Sequence, residues 1–98
     1  MRHMKAMRAF YDRGEYPDGA IVEMTIWCVP EPVVGSMHFF KYSLFYGYPG
    51  KRVVGYDNER KKGDHRHIEG REEPYLFSTV EVLVADFLSD VRYVRGEL

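Results

Sequence analysis

The sequence predicts an α+β fold: an antiparallel sheet of about four strands, packed on one face by a C-terminal amphipathic helix. Two observations carry this. In three segments between residues 20 and 57, runs rich in β-branched and aromatic residues place apolar side chains at alternate positions, the period that sends successive side chains to opposite faces of a strand. Between residues 80 and 91 the apolar residues recur instead at helical spacing. A helix with one apolar stripe must bury it, and the sheet is the only large partner.

In chain order, Met4–Tyr11 reads as a short helix, with Met4, Ala6, Met7 and Phe10 near one face, ended by Gly14 and Pro17. Asp18-Gly19 is a turn signal, and Ala20–Val29 behind it is a strand rich in Ile, Val, Thr and Trp. Period two puts Val22, Met24, Ile26 and Cys28 toward the core, with Ile21, Glu23, Thr25 and Trp27 opposite. Pro30-Glu31-Pro32 stops this strand. Met37–Tyr46 is the second, with His38, Phe40, Tyr42, Leu44 and Tyr46 on one face. Gly47-Tyr48-Pro49-Gly50 turns the chain, and Lys51–Asp57 pairs back as the third. After a polar loop at Asn58–Gly63, Asp64–Ile68 is a short fourth strand, and Glu69-Gly70 a turn. Ser78-Thr79-Val80-Glu81 fits a capping box with Ser78 as the cap, and Phe77 and Val82 fit a hydrophobic staple. Val80, Leu83, Val84, Phe87, Leu88 and Val91 then form the stripe of a helix over Thr79–Tyr93. Trp27, Phe39 and Phe45 point away from the helix, which offers a surface for a homodimer.

Composition bounds the function. The chain has 98 residues, 45% of them apolar and 15% aromatic, as expected of one globular domain over residues 1–98. No run free of charged residues approaches the ~20 residues of a membrane helix. No secretory signal follows Arg2, Lys5 and Arg8. The single cysteine, Cys28, excludes an intrachain disulfide framework. A cytoplasmic protein without membrane partner or cofactor is expected.

The net charge of −1 argues against a nucleic-acid partner until it is resolved along the chain. Residues 51–71 hold seven basic and four acidic side chains, whereas residues 72–98 hold two basic and six acidic. The basic segment contains the densest polar constellation, from Tyr56 to His67. If residues 64–68 are extended, His65 and His67 project from one face, with Asp64 and Arg66 opposite. Two imidazoles at that spacing suit acid–base chemistry or metal ligation.

Cleaving RNA through its own 2′-hydroxyl needs a base, an acid and a cation near the phosphorane. His65 and His67 are the candidates for proton transfer, and Arg66, Lys62 and Arg60 for the phosphate. Tyr56 and Asp57 would position substrate or orient a histidine, and Gly63 would let the backbone approach a phosphate. Lys61 and Arg71 extend the RNA-binding set. The metal-dependent alternative uses His65, His67 and Asp57, with Asp64 as the other available carboxylate. Against both stands a solvated charged hairpin whose histidines pair with Asp57 and Glu59. Cys28 reads as a small buried hydrophobe, His38 as structural, and Trp27 as sheet packing before base stacking. Arg71-Glu72-Glu73 reads as the entrance to the helix.

Several blocks together resemble the TumE family of bacterial toxins. They are Asp18–Met24, Trp27 with Pro30-Glu31-Pro32, Lys41-Tyr42 with Tyr46-Gly47, and Gly55-Tyr56-Asp57-Asn58-Glu59. Lys62-Gly63-Asp64-His65-Arg66-His67, Gly70-Arg71-Glu72-Glu73-Pro74-Tyr75 and Val80-Glu81 to Ala85-Asp86-Phe87 complete the match. The resemblance spans roughly residues 18–91. It implies a small toxin encoded beside a cognate antitoxin, usually a helix-turn-helix protein, without fixing the reaction. The architecture is also similar to the RelE/ParE class of toxins, an analogy of fold alone. The expectation is a toxin acting on RNA or translation by metal-independent endoribonuclease chemistry. The rivals are a non-catalytic protein that inhibits a target by binding and a metal-dependent nuclease.

Overall fold

A computed structural model describes residues 5–97 as one six-stranded antiparallel meander crossed by a single helix. The strands are β1 (Met7–Glu15), β2 (Ile21–Cys28), β3 (Phe40–Tyr48), β4 (Lys51–Glu59), β5 (Gly63–Ile68) and β6 (Arg71–Pro74). They lie side by side in chain order, and α1 (Val80–Val94) follows them. The α+β class is as expected, but the sheet has six strands rather than four.

Register explains the core. Met24 stands opposite Leu44, Leu44 opposite Tyr56, and Tyr56 opposite Arg66. The next row runs Val22, Tyr46, Val54, Ile68. These rows face the helix, whose Leu83, Phe87 and Val91 are buried against them. Tyr56 meets Tyr75 and Phe87 edge to face, at centroid distances of 4.9 and 5.7 Å. Each such pair adds about 0.5–1.5 kcal/mol to the burial itself.

Residues 7–11 are strand, not helix. A helix there would have buried only a few apolar residues over two turns, too little to offset nucleation. Pairing with β2 instead satisfies the backbone of both segments, with Tyr11 opposite Thr25 and Arg13 opposite Glu23. The strand is almost wholly exposed, and Arg8, Asp12, Arg13 and Glu15 guard it as charged edge residues. Met4 lies outside the described residues. Cys28 is exposed rather than buried, because the helix-covered surface ends before the last residue of β2.

The sixth strand depends on the Glu69-Gly70 turn. Both residues have positive φ, 48° and 85°, the two-residue hairpin geometry that matches strand twist. Arg71-Glu72-Glu73-Pro74 therefore pairs back on β5 instead of leading into the helix. The helix itself is capped by Thr79, whose hydroxyl accepts from the Val82 N–H at 3.1 Å, and not by Ser78. The expected staple is also replaced, since Phe77 stacks on His38 at 3.8 Å and Val82 is exposed. At the other end of α1, Arg95 donates to the Tyr46 hydroxyl at 2.8 Å and lies over the Tyr16 ring.

A buried polar network ties the β2–β3 connection to the β4–β5 hairpin. Asp64 accepts from the Ser36 and Tyr42 hydroxyls, each at 2.6 Å, and pairs with His38 Nε2 at 2.7 Å. Phe40 N–H donates to His38 Nδ1, which leaves the ring hydrogen on Nε2 for Asp64. Asn58 accepts from Tyr42 N–H and donates to the Phe40 carbonyl. His38 is thus structural, as its sequence context suggested. Among the described residues no helix is long and apolar enough to cross a membrane.

Candidate functional site

The sheet has a second face that α1 does not cover, and the two histidines lie on it. Alternation along β5 puts His65 and His67 on this face and Arg66 on the other. Their rings sit 5.7 Å apart. Across the ladders, Asp57 of β4 stands opposite His65, and Glu72 of β6 opposite His67. Directly opposed side chains on one face touch, so the register alone makes two neighbouring imidazole–carboxylate pairs.

The distances show how closely these four groups converge. His67 Nε2 is 2.8 Å from Glu72 Oε2, and His65 Nε2 is 3.3 Å from the same oxygen. On its other side His65 Nε2 lies 2.5 Å from Asp57 Oδ1. His65 is buried, with its Nδ1 3.1 Å from the Gly63 carbonyl, which can only accept. Nδ1 therefore carries a hydrogen. Asp57 Oδ1 is buried and has no hydrogen-bond partner among the described residues, although His65 Nε2 lies beside it. The side chains of His67 and Glu72 are 25% and 45% exposed, so the corner opens to solvent on their side. Burial pushes the Glu72 carboxyl upward, but His67, Lys62 and His65 together outweigh it and hold the group below the ordinary range.

Around this corner the open face carries cations and aromatics. Arg52 reaches Asp57 at 3.7 Å, and its chain lies over Gly55, where any Cβ would fall 2.5 Å from the Arg52 Cδ. Glycine at 55 is what allows that close approach. Phe45 is the cross-strand neighbour of Gly55, and Lys41 that of Trp27. At the far side Arg8 covers the Tyr11 ring at 4.7 Å and approaches Trp27 at 5.8 Å.

The residues singled out in the sequence divide between places. His65, His67 and Asp57 come together, and Lys62 sits close enough for its charge to act on Glu72. Arg60 and Lys61 are exposed on the β4–β5 turn, and Gly63 packs against the Gly35 backbone. Tyr56 and Arg66 lie on the helix side. The Tyr56 hydroxyl donates to Asp90 at 2.5 Å, and Arg66 bridges Asp90 at 3.0 Å and Glu73 at 2.5 Å. Tyr56 is fully buried there. Burial foremost, then the Asp90 bond, raise its phenol above the ordinary range despite Arg66. Arg71 pairs with Ile68, in the helix-side row. Asp64 belongs to the His38 network, so of the two carboxylates considered for a metal only Asp57 is at the histidines.

Glu72 and Arg52 were not recognised in the sequence. The signal for Glu72 was the two-residue Glu69-Gly70 turn, which sets Glu72 opposite His67 once the hairpin is closed. Arg52 had no local signal, since a register shift between Tyr46 and Gly47 decides where it lies.

Comparison with known proteins adds the family. The family model described as Toxin TumE matches residues 3–95, nearly the whole chain. No curated protein and no solved structure matches. The histidine corner and the blocks that build it lie inside the matched span, and this chain belongs to the TumE toxin family, the toxin partner of a cognate antitoxin.

Proposed function

We propose that this toxin acts in the cytoplasm on RNA, cleaving it at the His65–His67–Asp57–Glu72 corner. The observation that carries the reading is the sharing of one open sheet face by that corner, by Arg8, Lys41 and Arg52, and by Tyr11, Trp27 and Phe45. Cations that track a backbone and rings that stack bases are what a single-stranded nucleic acid requires. The corner takes up the proton of the 2′-hydroxyl as its O–H bond breaks. The 2′-oxygen attacks phosphorus, the bond from phosphorus to the 5′-oxygen breaks, and the leaving oxygen takes up a proton. The products are a 2′,3′-cyclic phosphate and a 5′-hydroxyl.

Among the phosphate contacts, Arg52 and Lys62 stand nearest the corner, with Arg60 and Lys61 along the adjoining turn. Tyr56 and Arg66 act through the packing of helix on sheet. The antitoxin, of the helix-turn-helix type in this reading, covers the open face and so blocks the corner. The RelE/ParE analogy concerns architecture alone and assigns no role to any residue.

The test is induction of the wild type, of His67→Ala and of Trp27→Ala, with growth and total RNA followed together. Wild type should arrest growth while RNA fragments with cyclic-phosphate ends accumulate, and both variants should do so at least tenfold more slowly. Arrest with RNA intact would replace this reading with a non-catalytic inhibitor. Undiminished cleavage by folded His67→Ala would remove the corner from the chemistry.

A further inference from the structure

We infer that His65 Nε2, His67 Nε2 and Glu72 Oε2 bind one divalent transition-metal ion of the zinc or manganese class. The histidine and Glu72 atoms lie within 4.8 Å of one another. Donors around a tetrahedral ion with bonds of about 2.0–2.1 Å lie about 3.3 Å apart. The 2.8 and 3.3 Å separations from Glu72 are close to that spacing.

A second observation points the same way. Gly63 holds the hydrogen of His65 on Nδ1, the arrangement that fixes a metal-binding imidazole by its other nitrogen. In the neutral ring Nε2 is then a lone pair, yet it faces two carboxylates, one of them with a buried, unsatisfied oxygen. Acceptors converging on acceptors need a cation between them. A proton can supply it for His65 and Asp57 alone. One metal ion supplies it for both imidazoles and Glu72.

The donor chemistry selects the ion. Two imidazoles and one carboxylate favour zinc, manganese and their neighbours over calcium or magnesium, which take oxygen sets. Two adjacent strands, β5 and β6, supply three donors, and the exposure of His67 and Glu72 leaves the fourth position of the ion open, as in catalytic rather than structural sites. This departs from the metal-free chemistry expected from the sequence. Binding itself is independent of the target, but the ion's use in cleavage rests on the RNA reading.

The experiment uses the full chain without a histidine tag. Metal content is measured after purification, then thermal unfolding and calorimetric titration of the chelator-treated protein with zinc and with manganese. One equivalent per chain, a rise in Tm reversed by chelator, and at least tenfold weaker binding in both His67→Ala and Glu72→Gln are expected. Glu72→Gln keeps the shape of the corner, and circular dichroism confirms that each variant is folded. No metal-dependent shift in the wild type would overturn the inference, as would equal binding by both variants. RNA cleavage persisting in chelator would overturn the ion's catalytic use and leave the RNA reading intact. Stoichiometric binding with RNA untouched would sustain the site and remove the RNA reading instead.

Discussion

Replacing Tyr56 by Phe tests whether this tyrosine belongs to the chemistry or to the packing of helix on sheet. The ring is fully buried, and its contacts with Tyr75 and Phe87 survive the substitution. Only the hydroxyl is lost, and with it the 2.5 Å hydrogen bond to Asp90 and the 3.3 Å contact from Arg66. A hydrogen bond to a charged partner contributes about 1.5–3 kcal/mol. Asp90 keeps Arg66 at 3.0 Å, so no carboxylate is orphaned and the cost is about 2 kcal/mol. At about 4–8 °C per kcal/mol for a domain of this size, Tm should fall by roughly 8–16 °C. Urea unfolding followed by tryptophan fluorescence and circular dichroism gives the same quantity as a shifted midpoint. A cycle with Asp90→Asn should show a coupling of at least about 1 kcal/mol. Growth arrest per folded molecule should be unchanged, because the hydroxyl faces away from the open side of the sheet. A stability within about 0.5 kcal/mol of wild type would refute the energetic argument. A folded variant without toxicity would return Tyr56 to the catalytic set.

Two further outcomes follow from the same geometry. Thr79→Ala should cost about 1 kcal/mol by denaturant unfolding, while Ser78→Ala stays within about 0.5 kcal/mol; equal effects would mean that the cap is shared. The buried phenols of Tyr42 and Tyr56 are both raised above their ordinary value of 10.0, chiefly by burial and then by their bonds to Asp64 and Asp90. Unfolded, they ionise near pH 10, so above that pH the unfolded chain has shed protons that the folded chain keeps. Stability is therefore full below about pH 10 and falls as pH rises, by up to about 1.4 kcal/mol per pH unit for each phenol. Urea midpoints from pH 8 to 11 should show this fall, with a shallower slope in Tyr42→Phe; a flat profile would refute it.

The sequence carried the parts that local periodicity controls. Alternation in residues 20–28 and 40–57 follows from a sheet with one buried face, and the 80–91 stripe from a helix lying on it. His65 and His67 share a face because a strand turns over at every residue, and the same rule sets Arg66 against them. The strand β1 was not legible, because its side chains are almost all exposed, without the alternation of a half-buried strand, and its conformation comes from pairing with the backbone of β2. The same holds for β6, where Arg71-Glu72-Glu73 has no apolar pattern and only pairing with β5 makes it a strand.

What the sequence by itself determined was therefore the class, the helix, most of the core and three of the four groups at the corner, His65, His67 and Asp57. Only the tertiary structure decided who stands with them. Ladder register brought Glu72 to His67 and Asp57 to His65, while sending Tyr56 and Arg66 beneath the helix to Asp90. The physical reason is that side-chain alternation is a property of one strand, whereas the neighbours across a ladder are fixed by turns and shifts elsewhere in the chain.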